Sequence, residues 1–128
     1  MNLTTNLKPY NLEDRTFLFA KRTNSYILAL PKNIPNIENG KQLARSAGSV
    51  GANYIEANES LSKKDFAMRI KIAKKECKES RFWLNLTEPL QTHEQEKTML
   101  IDESTEIMKI LGAILEKSKT PSPNKQIQ

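Results

Sequence analysis

Five lysines, Lys64, Lys71, Lys74, Lys75 and Lys78, fall within an arc of about 100° when the chain is wound at 100° per residue, with Lys63 and Arg81 at its edge. A row of this kind can neutralise phosphates along an RNA or DNA backbone, with binding that weakens steeply as salt rises. The plainer reading is a solvated helix face, tempered by Asp65 and Glu79. No aromatic row interleaves with the lysines, so base-stacking recognition of single strands is not indicated. The site residues expected for a nucleic-acid contact are therefore Lys64, Lys71, Lys74, Lys75, Lys78 and Arg81.

Other reactive residues are sparse. Glu56 and Glu59 lie one helical turn apart, but carboxylate metal sites in bundles add Glu-x-x-His pairs from facing helices. The only histidine, His93, falls in an expected loop or cap. The single cysteine, Cys77, has Lys74, Lys75 and Lys78 close in sequence, which would favour a thiolate. It also occupies an apolar stripe, and burial as a small apolar side chain is the simpler role. No catalytic residue, metal ligand or cofactor is expected, and the chain reads as a non-enzyme.

These residues need helices to position them. Asn11 as cap, Glu13 and Asp14 in the first turn, and an inward stripe of Phe17, Ala20, Ile27 and Leu30 predict a first helix over 11–30. Pro31 and Pro35 close it, the link 32–38 with Asn33, Pro35 and Asn36 reads as a short loop, and a second helix is expected over 41–59. Its seam is Leu43, Ala47, Val50, Tyr54, Ala57 and Leu61. Ala44, Gly48, Gly51 and Ala52 form a row of small residues that suggests close approach of another backbone. Ser46, Ser49, Asn53 and Glu56 make a polar stripe.

A third helix over 63–88 is predicted by a capping box, Ser62 with Asp65, and a hydrophobic staple, Leu61 with Phe66. Phe66, Ile70, Ala73, Cys77 and Leu84 form one apolar face. Met68, Ile72, Trp83 and Leu86 form a second, which suits contact with another subunit. The weaker box Thr92/Gln95 starts a fourth helix over 93–118, with Leu100, Ile107, Leu111 and Leu115 on its broad apolar face. Residues 120–128 read as a disordered tail. The result is an all-α, antiparallel up-down-up-down four-helix bundle spanning residues 1–119.

The chain has 128 residues, 38% hydrophobic and 27% charged, with 6% aromatic residues and 4 glycines. That length suits one domain with a real core, and the composition favours helices over a small β-barrel. One cysteine permits no internal disulfide, and Met1 to Tyr10 lacks the apolar stretch of a signal peptide. No apolar run is long enough to cross a bilayer, so a cytoplasmic protein without membrane contact is expected. The net charge of +5 fits nucleic-acid contact without requiring it.

The run Arg45, Ser46, Ala47, Ser49, Val50, Ala52, Asn53, Glu56, then Ser62 to Phe66, resembles the pattern R-S-A-x-S-[IV]-x-[AS]-N-I-A-E-G followed by S-K-K-[ED]-F. That pattern belongs to the four-helix-bundle family first named for proteins encoded in intervening sequences of bacterial 23S ribosomal RNA genes. Tyr54, Ile55 and Ala57 depart from it. The resemblance implies a ring, a homopentamer, and extends to accessory variability determinant proteins of diversity-generating retroelements. It thereby implies nucleic acid and a reverse transcriptase as partners. A second reading is an assembly scaffold without nucleic-acid binding, in which the basic face meets the acidic region 88–106 of a neighbour.

Overall fold

The computed structural model describes residues 11–119. Four long helices fill them: α1 Leu12–Leu28, α2 Ile34–Asn58, α3 Lys63–Leu86 and α4 Glu94–Lys119, with a single 3-10 turn at Gln91–His93. Consecutive helices pack together and α1 also packs against α4, as in a four-helix bundle. No described helix is long and apolar enough to cross a membrane. The expected tail, 120–128, lies outside the described residues.

The Asp14 amide donates to Asn11 Oδ1 at 2.8 Å, capping α1 as expected. Its inward face differs from the expected one. Leu12, Thr16, Phe19, Thr23 and Tyr26 are buried, whereas Phe17 is 65% exposed and Ala20 and Ile27 lie at the margin. Two threonines in the core stripe hide its apolar period, and Phe17 sits one residue off it.

Helix α2 starts seven residues before the expected 41. Asn33 accepts from the Asn36 amide at 2.9 Å, and Pro35 in the first turn needs no partner for its missing N–H. Pro35 therefore begins this helix, while Pro31 stays in the short loop before the Asn33 cap. Leu43, Ala47, Val50 and Ala57 are buried as the seam requires, but Leu61 is fully exposed. That also removes the expected staple with Phe66. Ser62 Oγ does accept from the Asp65 amide at 3.1 Å and caps α3, with no reciprocal bond from the Asp65 carboxylate among the described residues.

The small residues of α2 divide. A Cβ on Gly51 would lie 2.8 Å from Thr16 Oγ1, so α1 and α2 do approach closely there. At Gly48 a Cβ would meet nothing within 4 Å. The polar stripe faces α3: buried Ser80 donates to Ser46 Oγ at 2.9 Å, and Arg69 donates to Asn53 at 3.1 Å.

At the opposite end of the molecule a polar latch joins the elements. Buried Asn36 donates to the carbonyls of Pro31 and Glu88, both at 3.0 Å, and accepts from the Glu88 amide at 2.9 Å. Tyr26 and Thr87 share a buried hydroxyl hydrogen bond of 2.7 Å. Lys97 donates to the Thr87 carbonyl at 2.8 Å. Instead of the expected Thr92 cap, the 3-10 turn, closed by His93 N–H on the Leu90 carbonyl, leads into α4.

Candidate nucleic-acid interface

Burial of Ile70, Ala73, Cys77, Ser80 and Leu84 fixes which side of α3 meets the core, and the opposite side faces solvent. Lys64, Lys71, Lys75 and Lys78 all stand exposed on that outer side. From Lys64 to Lys78 they cover about 21 Å at 1.5 Å per residue. None of the four has an ion-pair partner among the described residues. Two of the three carboxylates of the same helix point elsewhere, because Arg45 of α2 draws Glu76 to 3.0 Å and Glu79 to 3.4 Å. Those bonds, Glu76 first, raise the Arg45 pKa and tie it down.

Two of the six expected residues turn toward α4. Lys74 is half-buried with its amine over Gly112, 3.4 Å from where a Cβ would sit. Arg81 donates to Thr105 Oγ1 at 3.2 Å. Both strengthen the α3–α4 contact more than they extend the outer row.

The sequence reading missed Phe82, which lies at the same angle as Lys64 and is 57% exposed. Its ring meets Trp83 edge to face, centroids 5.0 Å apart. Counting aromatics by wheel position would have found it. Of the expected subunit contacts, Met68 and Leu86 are exposed, Ile72 is half-buried, and Trp83 packs onto the core with its Nε1 buried and without a hydrogen bond.

The acidic stretch of α4 is partly engaged within the subunit, through Glu96, Glu103 and Glu106. Arg15 binds Glu103 through two nitrogens, at 2.8 and 2.9 Å, and Glu106 at 2.8 Å. The Glu103 bond is the main reason its pKa is raised. Arg22 reaches Glu96 at 3.1 Å. Glu88, Glu94 and Asp102 stay exposed and have no ion pair among the described residues, so part of this acidic surface is open to a neighbour.

Cys77 donates to the Ser104 carbonyl at 3.2 Å, and burial pushes its thiol up to about 12. The lysines beside it in sequence do not prevail: Lys75 and Lys78 sit on the outer side, and burial dominates. His93 lies on the 3-10 turn with Nδ1 buried and unpaired. No group of three metal-ligating residues gathers among the described residues.

The chain is 32% identical to a crystal structure of a protein with unknown function from the S23 ribosomal protein family of Bacteroides thetaiotaomicron, with a TM-score of 0.69. The match covers 86% of this chain and all of that one. No curated protein matches. The family model for the 23S rRNA-intervening sequence protein matches residues 11–113. With most of the sequence, three whole helices and most of α4 inside that match, the chain belongs to the 23S rRNA-intervening sequence protein family.

Proposed function

We propose that this protein is a non-enzymatic, self-assembling four-helix bundle whose α3 outer face holds RNA or DNA by its backbone without reading sequence. The observation that carries the reading is the row Lys64, Lys71, Lys75 and Lys78, exposed, aligned and without ion-pair partners among the described residues. Phosphates offer the matching charge, and counterion release supplies the affinity. Phe82 adds one flat apolar surface to the row, too little for base-by-base recognition.

An up-down-up-down course is supported by the order of the cross-helix pairs. Arg45 meets Glu76 and Asn53 meets Arg69, so α2 and α3 run in opposite senses; Arg15 with Glu103 and Arg22 with Glu96 do the same for α1 and α4. Self-assembly follows from the exposed apolar side chains of α3 together with the ring, a homopentamer, that the family resemblance implies. A reverse transcriptase is the protein partner that the retroelement resemblance adds, and a neighbouring gene for one would favour it.

Fluorescence anisotropy with structured RNA and with duplex DNA tests the central claim. Binding is expected at low salt, with log Kd against log salt rising at a slope of about 3 to 4 for four neutralised phosphates. The triple variant Lys71→Glu, Lys75→Glu, Lys78→Glu should abolish it while leaving assembly intact. Absence of binding at low salt overturns the reading. Loss of the oligomer in the triple variant would favour the scaffold, with the basic face serving a neighbouring subunit.

A further inference from the structure

Phe82 stands in line with the lysines of the outer face, where another cation would serve phosphate binding better. It is 57% exposed at the wheel angle of Lys64, one helical turn, about 6 Å, beyond Lys78. Its ring is held in place, because Trp83, packed on the core, meets it at 77° with centroids 5.0 Å apart. Such an edge-to-face contact covers at most one face of the Phe82 ring, so a flat face stays open to solvent. Leu86, one turn further on and 45% exposed, continues the apolar surface.

The run of free positive charge stops at this point. Arg81 is turned to Thr105, and Lys97 of α4 is held by the carbonyls of Asn85 and Thr87 at 3.4 and 2.8 Å. Asp102 lies between those contacts along α4, level with the last turn of α3, and is exposed, as are Glu88 and Glu94 beyond the helix end. Glu79, one turn before Phe82, is drawn aside to Arg45. A phosphate backbone is therefore attracted along the row from Lys64 to Lys78 and repelled past Phe82. A base carries no charge, so the same carboxylates do not exclude it from that end. Phe82 also lies beside a stem bound along the row and not across its end, so a base reaches the ring only by leaving the stack.

We infer that Phe82 is a stacking platform for one unpaired base at the end of a stem whose backbone lies on Lys64, Lys71, Lys75 and Lys78. The ligand class is a duplex with a single-stranded extension or loop, of RNA or DNA, in preference to uninterrupted duplex. Stacking on a ring face tolerates any base, so the site selects the junction and not its sequence. This assignment rests on the nucleic-acid reading above and names the form of nucleic acid that the same face takes.

Fluorescence anisotropy at low salt, on the full chain, tests it with two probes of equal charge: a duplex with a short overhang, and the same duplex with an abasic overhang. Wild-type protein should bind the first about tenfold more tightly, the worth of one stacked base. Phe82→Ala and Phe82→Leu should both reduce that affinity to the abasic value, whereas Phe82→Trp should keep it. Affinity for the abasic probe, its salt dependence, the assembly mass and helical circular dichroism should be the same in all of these proteins. Equal wild-type affinity for the two probes overturns the inference. So does a Phe82→Leu protein that keeps the preference, which would reduce the ring to an apolar contact, or a Phe82→Ala protein that loses its assembly, which would give the ring to a neighbouring subunit. Absence of binding to either probe overturns the nucleic-acid reading beneath it.

Discussion

Cys77 shows how a residue's neighbours in sequence can mislead about its neighbours in space. Three lysines flank it along the chain, but it points into the core and its pKa rises from an ordinary 9.0 to about 12. The folded chain keeps that proton where the unfolded chain releases it. Stability is therefore undiminished below about pH 9 and falls as pH climbs toward 12, at up to about 1.4 kcal/mol per pH unit. Tyr26, also raised by burial, acts in the same sense. Urea denaturation across alkaline pH should show this decline, and Cys77→Ala should remove about 2 kcal/mol of it by about pH 10.5. A thiol reagent should leave the native protein unlabelled at neutral pH. Burial of this cysteine was legible from the stripe it shares with Ile70 and Leu84. The exposure of Phe17 was not, because Thr16 and Thr23 take the core positions that an apolar count assigns elsewhere.

Among helices, the informative contrast lies within α2. Two glycines one turn apart look equivalent on paper, yet Gly51 admits Thr16 and Gly48 faces open space. Gly48→Ala should raise the melting stability of dilute, unassembled subunits by about 1 kcal/mol through helix propensity alone. Gly51→Ala should lower it by about 1 to 2 kcal/mol, since its methyl group would drive into Thr16. Thermal denaturation of the two variants side by side decides the matter, and equal effects would contradict the geometry. The sequence could show that a row of small residues existed, but not which of them had a neighbour. The start of α2 was obscured for a related reason: Pro35 reads as a breaker until Asn33 is recognised as the cap. The lysine row of α3 was legible almost entirely from periodicity. Only the diversion of Lys74 and Arg81 required knowing where α4 lies.

For the molecule as a whole, the two ends are built differently. Asn36 binds the chain on both sides of it, Tyr26 ties α1 to Thr87, and Lys97 ties α4 to the same residue. Asn36→Ala should lower stability by about 2 kcal/mol, because it strips partners from backbone groups that the packing partly shields. Amide hydrogen exchange should accelerate at 84–88 in that variant before it changes in the middle of α3. At the α2–α3 corner, by contrast, Leu61 is fully exposed, and no hydrogen bond joins that turn to α1 or α4 among the described residues. The bundle consequently has a hinge side and a clasp side. Hydrogen exchange should therefore show opening that starts at Leu61 and runs toward the latch, with the first turn of α3 and Lys64 loosening earliest while Lys78 and Phe82 stay anchored.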